Sequence, residues 1–309
     1  MAKVYENTWW GNICDVTNNW GNVYSSIANC FTNKKSVYQN GAYSEVNQAI
    51  SVTRNPFEIG GNEQFVIMAW IKPDIKMETD TSYDFRPIVD LSHNLFNTAT
   101  GQGYSLFMRK TSGGNITMNW FFKRQGQNRI NSSCIVGLSS FTITEPMLVV
   151  ASVYSDATNT TRTQNLRVYQ NGAGGGSNNY VDVERNWAPT SMSYTGVYQD
   201  LVFGNTNDPG QYQQEFIGNL DEISLWKLGN SAGIDSYIGL ADRYYNNGTP
   251  RLDLSKDPLY SLITGWYRFG DNFSIENGVF TFPNASAGSG ASALAASDFQ
   301  QSAIVDNII

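Results

Sequence analysis

Gln64–Ile71 reads QFVIMAWI, a run that is apolar on both of its alternations. In an extended chain Phe65, Ile67, Ala69 and Ile71 share one face, and Val66, Met68 and Trp70 share the other. A strand apolar on both faces belongs in the middle of a sheet that is covered on both sides. Pro73 marks its end, because proline has no N–H to give to a ladder.

Working outward, strand-like runs recur between Gly, Asn and Ser turns. Tyr104–Arg109 (YSLFMR) and Ile116–Phe122 (ITMNWFF) flank Ser112-Gly113-Gly114-Asn115 and predict a β-hairpin, with Ile116, Met118, Trp120 and Phe122 on one face. Met147–Tyr154 and Asn165–Tyr169 form a second candidate pair. Asn171-Gly172 then supplies a turn in which positive φ is favoured, and Tyr180–Val183 returns. Leu201–Phe203 and Phe216–Leu228 follow. Short strands at this spacing with no regular helix between them predict an all-β fold, a two-sheet antiparallel β-sandwich. One helix is expected, near 231–246. Ser231 is its N-cap and Asp235 lies in its first turn; Ile234, Ile238, Ala241 and Tyr245 recur at helical spacing, and Asn247-Gly248 stops it.

The organisation expected is an N-terminal arm over 1–32, a sandwich domain over 33–283 and a C-terminal extension over 284–309. The arm carries Trp9, Trp10 and Trp20 among asparagines, more indole than a free tail needs. The extension opens on an Ala/Ser/Gly-rich stretch and becomes apolar at Ser302–Ile309 (SAIVDNII).

Composition excludes several partners. Charged residues make up 15% of the 309, and the net charge is −7, so the basic stripe of a nucleic-acid binder is missing. An anionic membrane surface is disfavoured for the same reason. No run approaches the length needed to span a bilayer, and MAKVYENTWWGNIC has no signal-peptide pattern, so a protein made in the cytoplasm is expected. Cys14, Cys30 and Cys134 show no C-x-x-C spacing. Cys14 and Cys30 are free to pair in an oxidising compartment; three reduced cysteines is the plainer reading.

The order of motifs resembles the laminin-G-like, concanavalin A-like jelly-roll domains. FVIMAWIKP (65–73) is similar to their opening strand, LRVYQNG (166–172) to their hairpin, and GNLDEISLWKLGNSAGIDSYIGLADRYYNNG (218–248) to their G-x-l-D-E strand and following helix. TGWYRFGD (264–271) resembles the closing strand. The resemblance implies two curved antiparallel sheets packed face to face. Narrower still, NGTPRLDLS (247–255), GWYRFGD (265–271) and Ile304-Val305-Asp306 resemble the closing segment of laminin-G-like virion proteins of tailed phages. That implies a capsid decoration or fibre protein located in the virion, with other virion proteins and copies of itself as partners. Trp9, Trp10, Trp20, Ile304, Val305, Ile308 and Ile309 are then the candidate assembly contacts.

The fold also hosts glycoside hydrolases, which need two carboxyl groups on one face. No E-x-D-x-(x)-E run occurs, and no same-face pair of acids is expected. Asp221 and Glu222 are adjacent, so a regular strand points them to opposite faces, one toward a loop backbone and one toward solvent. His93 is the single histidine, and no G-x-S-x-G elbow, P-loop or dinucleotide fingerprint occurs. The expectation is therefore a protein that is not an enzyme. No cofactor is required; calcium is the one ion the resemblance suggests, with rim oxygen ligands among Asp90, Asn94, Asp156 and Asn205. The alternative function is a carbohydrate-binding adhesin that holds cell-surface glycans on Tyr194, Tyr198 and Tyr212.

Overall fold

The structure is a computed structural model that describes residues 35–40, 50–52, 57–58, 64–79, 85–93, 102–123, 133–155, 162–171, 180–187, 201–205, 216–229, 241–242, 244–245, 248, 254–268, 274–276, 279–282, 294–296 and 304–306. These residues form an all-β, two-sheet antiparallel sandwich. The strands are β1 (Lys35–Asn40), β2 (Ile50–Val52), β3 (Gln64–Pro73), β4 (Phe85–His93), β5 (Gln102–Lys110), β6 (Ile116–Lys123), β7 (Ser133–Gly137), β8 (Met147–Ser155) and β9 (Arg162–Tyr169). They continue with β10 (Tyr180–Trp187), β11 (Leu201–Phe203), β12 (Ile217–Gly229), β13 (Ile263–Tyr267), β14 (Ser274–Glu276), β15 (Val279–Phe282), β16 (Leu294–Ala296) and β17 (Ile304–Asp306). The first sheet runs β10-β9-β8-β3-β12-β1-β17, with β13 also on β12, and the second runs β14-β15-β16-β2-β11-β4-β5-β6-β7.

The strand β3 lies where its composition demands, between β8 and β12 in the middle of the first sheet. Phe65, Ile67, Ala69 and Ile71 enter the core between the sheets, with Leu106, Trp120, Val149, Leu166 and Leu225. Val66, Met68 and Trp70 enter a second cluster on the outer side, with Tyr169, Trp226, Tyr244, Tyr245, Leu254 and Trp266. Pro73 is the last residue of β3. The chain then makes one helical turn, α1 (Lys76–Thr79), whose first N–H is taken by Asp74 Oδ1 at 2.9 Å.

The expected hairpins form. β5 and β6 pair from Gly103↔Lys123 to Lys110↔Ile116, closed by Thr111 N–H donating to Asn115 O at 2.8 Å. Ile116, Met118, Trp120 and Phe122 all face the core. β8, β9 and β10 form a continuous meander. Of the helix expected near 231–246, the described residues Ala241, Asp242, Tyr244 and Tyr245 are helical. The segment read as a C-terminal extension contributes β16 to one sheet and β17 to the other.

Candidate functional site

The outer face of the first sheet grades from apolar at β3 to polar at β10. The registers set it out in rows: Trp70, Leu148, Tyr169 and Tyr180; then Met68, Val150, Arg167 and Asp182; then Val66, Ser152, Asn165 and Glu184; then Tyr154, Thr163 and Asn186. Cross-strand neighbours share a face and touch, so each row is a chain of contacts. Arg167 Nη2 donates to Asp182 Oδ2 at 2.9 Å and Nη1 to Tyr169 Oη at 3.2 Å. Its guanidinium stands 4.0 Å from the centroid of the Tyr180 ring. Glu184 Oε1 accepts from Tyr154 Oη at 2.9 Å and from Asn165 Nδ2 at 3.4 Å, and Thr163 Oγ1 donates to Asn186 Oδ1 at 2.8 Å. The side chain of Arg167 is 6% exposed and that of Asp182 34%, while Glu184 and Asn186 are exposed. Such a surface offers carboxylate and amide oxygens beside an aromatic ring, a set suited to donors such as sugar hydroxyls.

The helical segment is pinned at the apolar end of this face. Tyr169 Oη donates to Asp242 Oδ1 at 2.8 Å, and Tyr245 Oη donates to Asn171 Oδ1 at 2.6 Å. Tyr245 stacks on Tyr169 at 4.9 Å and on Trp70 at 6.1 Å. Burial pushes the Tyr245 hydroxyl up to about 12 and holds that of Tyr169 far above its ordinary range. Gly248 has φ +90°, and a Cβ there would stand 2.7 Å from Asn171 Nδ2, so the hairpin tip and the helix stop require each other's shape.

Glu222 joins two further motifs. It has φ +45°, at the bulge where β12 shifts register against β3 between Asp221 and Ser224. The extra residue breaks the alternation that would have sent its side chain to the core. Glu222 Oε2 accepts from Trp266 Nε1 at 2.6 Å and Oε1 from Arg268 Nε at 2.9 Å, while Tyr244 Oη donates to Glu222 O at 3.4 Å. Asp221 Oδ1 takes the Glu222 N–H at 2.8 Å. Both acids are fully buried, which corrects the expectation that one of them faces solvent. An ion pair with indole and backbone donors is what allows a carboxylate to be buried.

The expectation of no same-face acids is corrected by β10, where Asp182 and Glu184 lie two residues apart on the outer face. The D-x-E spacing was readable in YVDVERN (180–186), the run that returns after the Asn-Gly loop. The pairing of Glu222 with Arg268 was not readable, because it depends on the bulge.

Of the calcium candidates, Asp90 and Asn205 are described and buried. Asp90 accepts from Ser92 Oγ at 2.8 Å, and Val202, three residues before Asn205, pairs with Asp90 across β11 and β4. Among the described residues no three His, Cys, Asp or Glu side chains are placed to hold a metal, and no helix is long and apolar enough to cross a membrane. Ile304 and Val305 lie in β17, opposite Val37 and Ser36 of β1. His93 ends β4, and Cys134 is a buried free thiol whose Sγ donates to Gln164 O at 3.3 Å. Trp9, Trp10, Trp20, Cys14, Cys30, Asn94, Asp156, Tyr194, Tyr198, Tyr212, Ile308 and Ile309 lie outside the described residues.

No protein-family model and no curated protein sequence matches the chain. Among solved structures it is similar to full-length tailspike protein 2 of Escherichia coli O157:H7 bacteriophage CAB120, at 12% identity and TM-score 0.44, covering 76% of this chain and 28% of that one. It is similar to the enzymatically active domain of tailspike protein 2 of bacteriophage CBA120, at 12% identity and TM-score 0.42, covering 76% and 31%. It is also similar to the receptor-binding domain of botulinum neurotoxin mosaic serotype C/D, at 13% identity and TM-score 0.34, covering 84% and 59%. The chain thus spans less than two thirds of each of these structures.

Proposed function

We propose that the chain is a non-enzymatic structural protein of a tailed-phage virion, a capsid decoration or fibre component built on a laminin-G-like jelly roll. The observation that carries this reading is the convergence of the motifs behind the resemblance. Trp266 and Arg268 meet at the buried carboxylate of Glu222, Tyr244 donates to the backbone carbonyl of the same residue, and Asn171 bonds Tyr245 and packs against Gly248. Scattered coincidences of sequence would not be expected to meet in one network. The terminal segments, with Trp9, Trp10 and Trp20 at one end and Ile304–Ile309 at the other, are the assembly contacts in this reading. Lys35, which follows the arm in sequence, pairs with Asp306 across β1 and β17. Mass spectrometry of purified particles is expected to find the protein at a fixed ratio to the capsid or tail subunits; its absence from intact particles overturns the reading.

A second reading, glycan recognition, is favoured by the polar outer face at β9 and β10. Asp182, Glu184 and Asn186 present oxygens to solvent beside Tyr180. Both carboxylates already engage Arg167, Tyr154 and Asn165, an arrangement suited to holding hydroxyls rather than to acid–base turnover. Binding to a glycan array that is lost with Glu184→Ala supports this reading. Binding unchanged by that substitution removes it from this face.

A further inference from the structure

Among the described residues Arg167 is the one cation that the registers of β8, β9 and β10 place on their outer face. Arg162 and Arg185 fall on the opposite alternation, and the charge of Arg185 acts on Cys134. A guanidinium receives an anionic ligand through its fork of N–H groups. The fork of Arg167 is already taken. Nη2 donates to Asp182 Oδ2 at 2.9 Å and Nη1 to Tyr169 Oη at 3.2 Å, with Asp242 Oδ1 at 3.9 Å from Nη1. The Tyr180 ring centroid stands 4.0 Å from its central carbon, and the side chain is buried. The carboxylates are placed the other way. Glu184 is exposed and is held by neutral donors alone, Tyr154 Oη and Asn165 Nδ2, both on Oε1. The side chain of Asp242 is 56% exposed. Asp182, Glu184 and Asp242 thus set three carboxylates against one guanidinium, and the negative charge is the part that meets solvent.

We infer that the ligand of this face is a neutral glycan, and that Glu184 is the residue that turns away glycans bearing carboxylate or sulfate groups. The inference rests on the glycan reading of the face and names the class of sugar that the reading leaves open. A carboxylate accepts hydrogen bonds and gives none, so a ligand seated on Glu184 must bring the donors. Sugar hydroxyls bring them. An acidic sugar sets a like charge beside Glu184, and the one cation that could offset it is buried and engaged by Asp182 and Tyr169. Asn186, exposed in the next row and bonded to Thr163 through Oδ1, adds an uncharged amide to the same strip. Selection therefore comes from repulsion of the wrong ligand as well as from contacts to the right one.

The test is binding of the full chain to a glycan array that carries each neutral glycan beside its sialylated and sulfated counterparts. Neutral members should bind, and their acidic counterparts should bind at least about fivefold more weakly at about 0.01 M salt, the effect of two like charges about 4 Å apart in water. The gap should close at about 1 M salt, where the screening length falls to about 3 Å. Glu184→Gln keeps an acceptor oxygen and removes the charge, so it should keep neutral binding and at least halve the gap at low salt. Acidic members that bind as well as neutral ones overturn the inference, as does a gap unchanged in Glu184→Gln. Those two outcomes leave the glycan reading standing when Glu184→Ala still abolishes binding. Binding indifferent to Glu184→Ala, or no binding to any member, removes the glycan reading and the inference with it.

Discussion

Glu222 and Arg268 form an ion pair in which the carboxylate side chain is 0% exposed and the guanidinium 4%. Trp266 shares the carboxylate through its indole N–H, so the pair is a three-membered node rather than a lone bridge. Removing one partner strands a buried charge. Glu222→Ala or Arg268→Ala should therefore each lower stability by about 3–5 kcal/mol. The double substitution Glu222→Ala with Arg268→Ala should cost clearly less than the two single changes added together. Urea unfolding of the four proteins measures this; strict additivity contradicts the node.

The Asn171, Tyr245 and Gly248 contacts make a second coupled unit. Tyr245→Phe removes the hydroxyl from Asn171 and should cost about 1 kcal/mol. Gly248→Ala should cost more than about 1 kcal/mol, because φ +90° disfavours any side chain and the new Cβ meets Asn171. Combining Gly248→Ala with Asn171→Ala should recover part of that cost, measured as a non-zero coupling in a double-mutant cycle.

Cys134 gives a pH dependence with a definite sign. Burial pushes its thiol from about 9.0 up to about 12. The folded state holds this proton more tightly than the unfolded chain. The associated stability is complete below pH 9 and is lost as the pH rises toward 12. Cys134→Val should flatten this part of the alkaline unfolding curve. Iodoacetamide at pH 8 should label Cys134 only after denaturation, and rapid labelling of the native protein would contradict its burial.

Ser152 points the other way. It is fully buried on the outer face, and its hydroxyl has no hydrogen-bond partner. Removing an unmatched polar atom relieves a desolvation cost. Ser152→Ala is therefore expected to range from neutral to about 1 kcal/mol stabilising, against the usual direction for a core substitution. Thermal melting decides, and a loss of more than about 1 kcal/mol contradicts the assignment.

The period-two pattern carried most of the sandwich. QFVIMAWI had to lie centrally because both its faces were apolar, and the Gly-rich turns delimited the β5–β6 and β9–β10 hairpins. Pattern alone could not show that β12 bulges at Glu222, because one extra residue leaves no mark on local hydrophobicity yet redirects a carboxylate. The outer-face site was half legible. Asp182 and Glu184 stand in plain alternation, but their engagement by Arg167, Tyr154 and Asn165 depends on the registers of β8 and β9.

The register of β12 bears on when the protein can fold. β12 lies between β3 and β1, and β17 completes that side of the sheet. Its partners thus come from the early part of the chain and from its far end. A nascent chain on the ribosome that has delivered β3 and β8 still lacks the strand that covers the other side of β3. Until Ile217–Gly229 emerges, β3 offers a bare apolar edge to whatever is near. Pairings of such long sequence separation form slowly, so folding of the first sheet should follow translation rather than accompany it, with chaperone dependence concentrated in that interval.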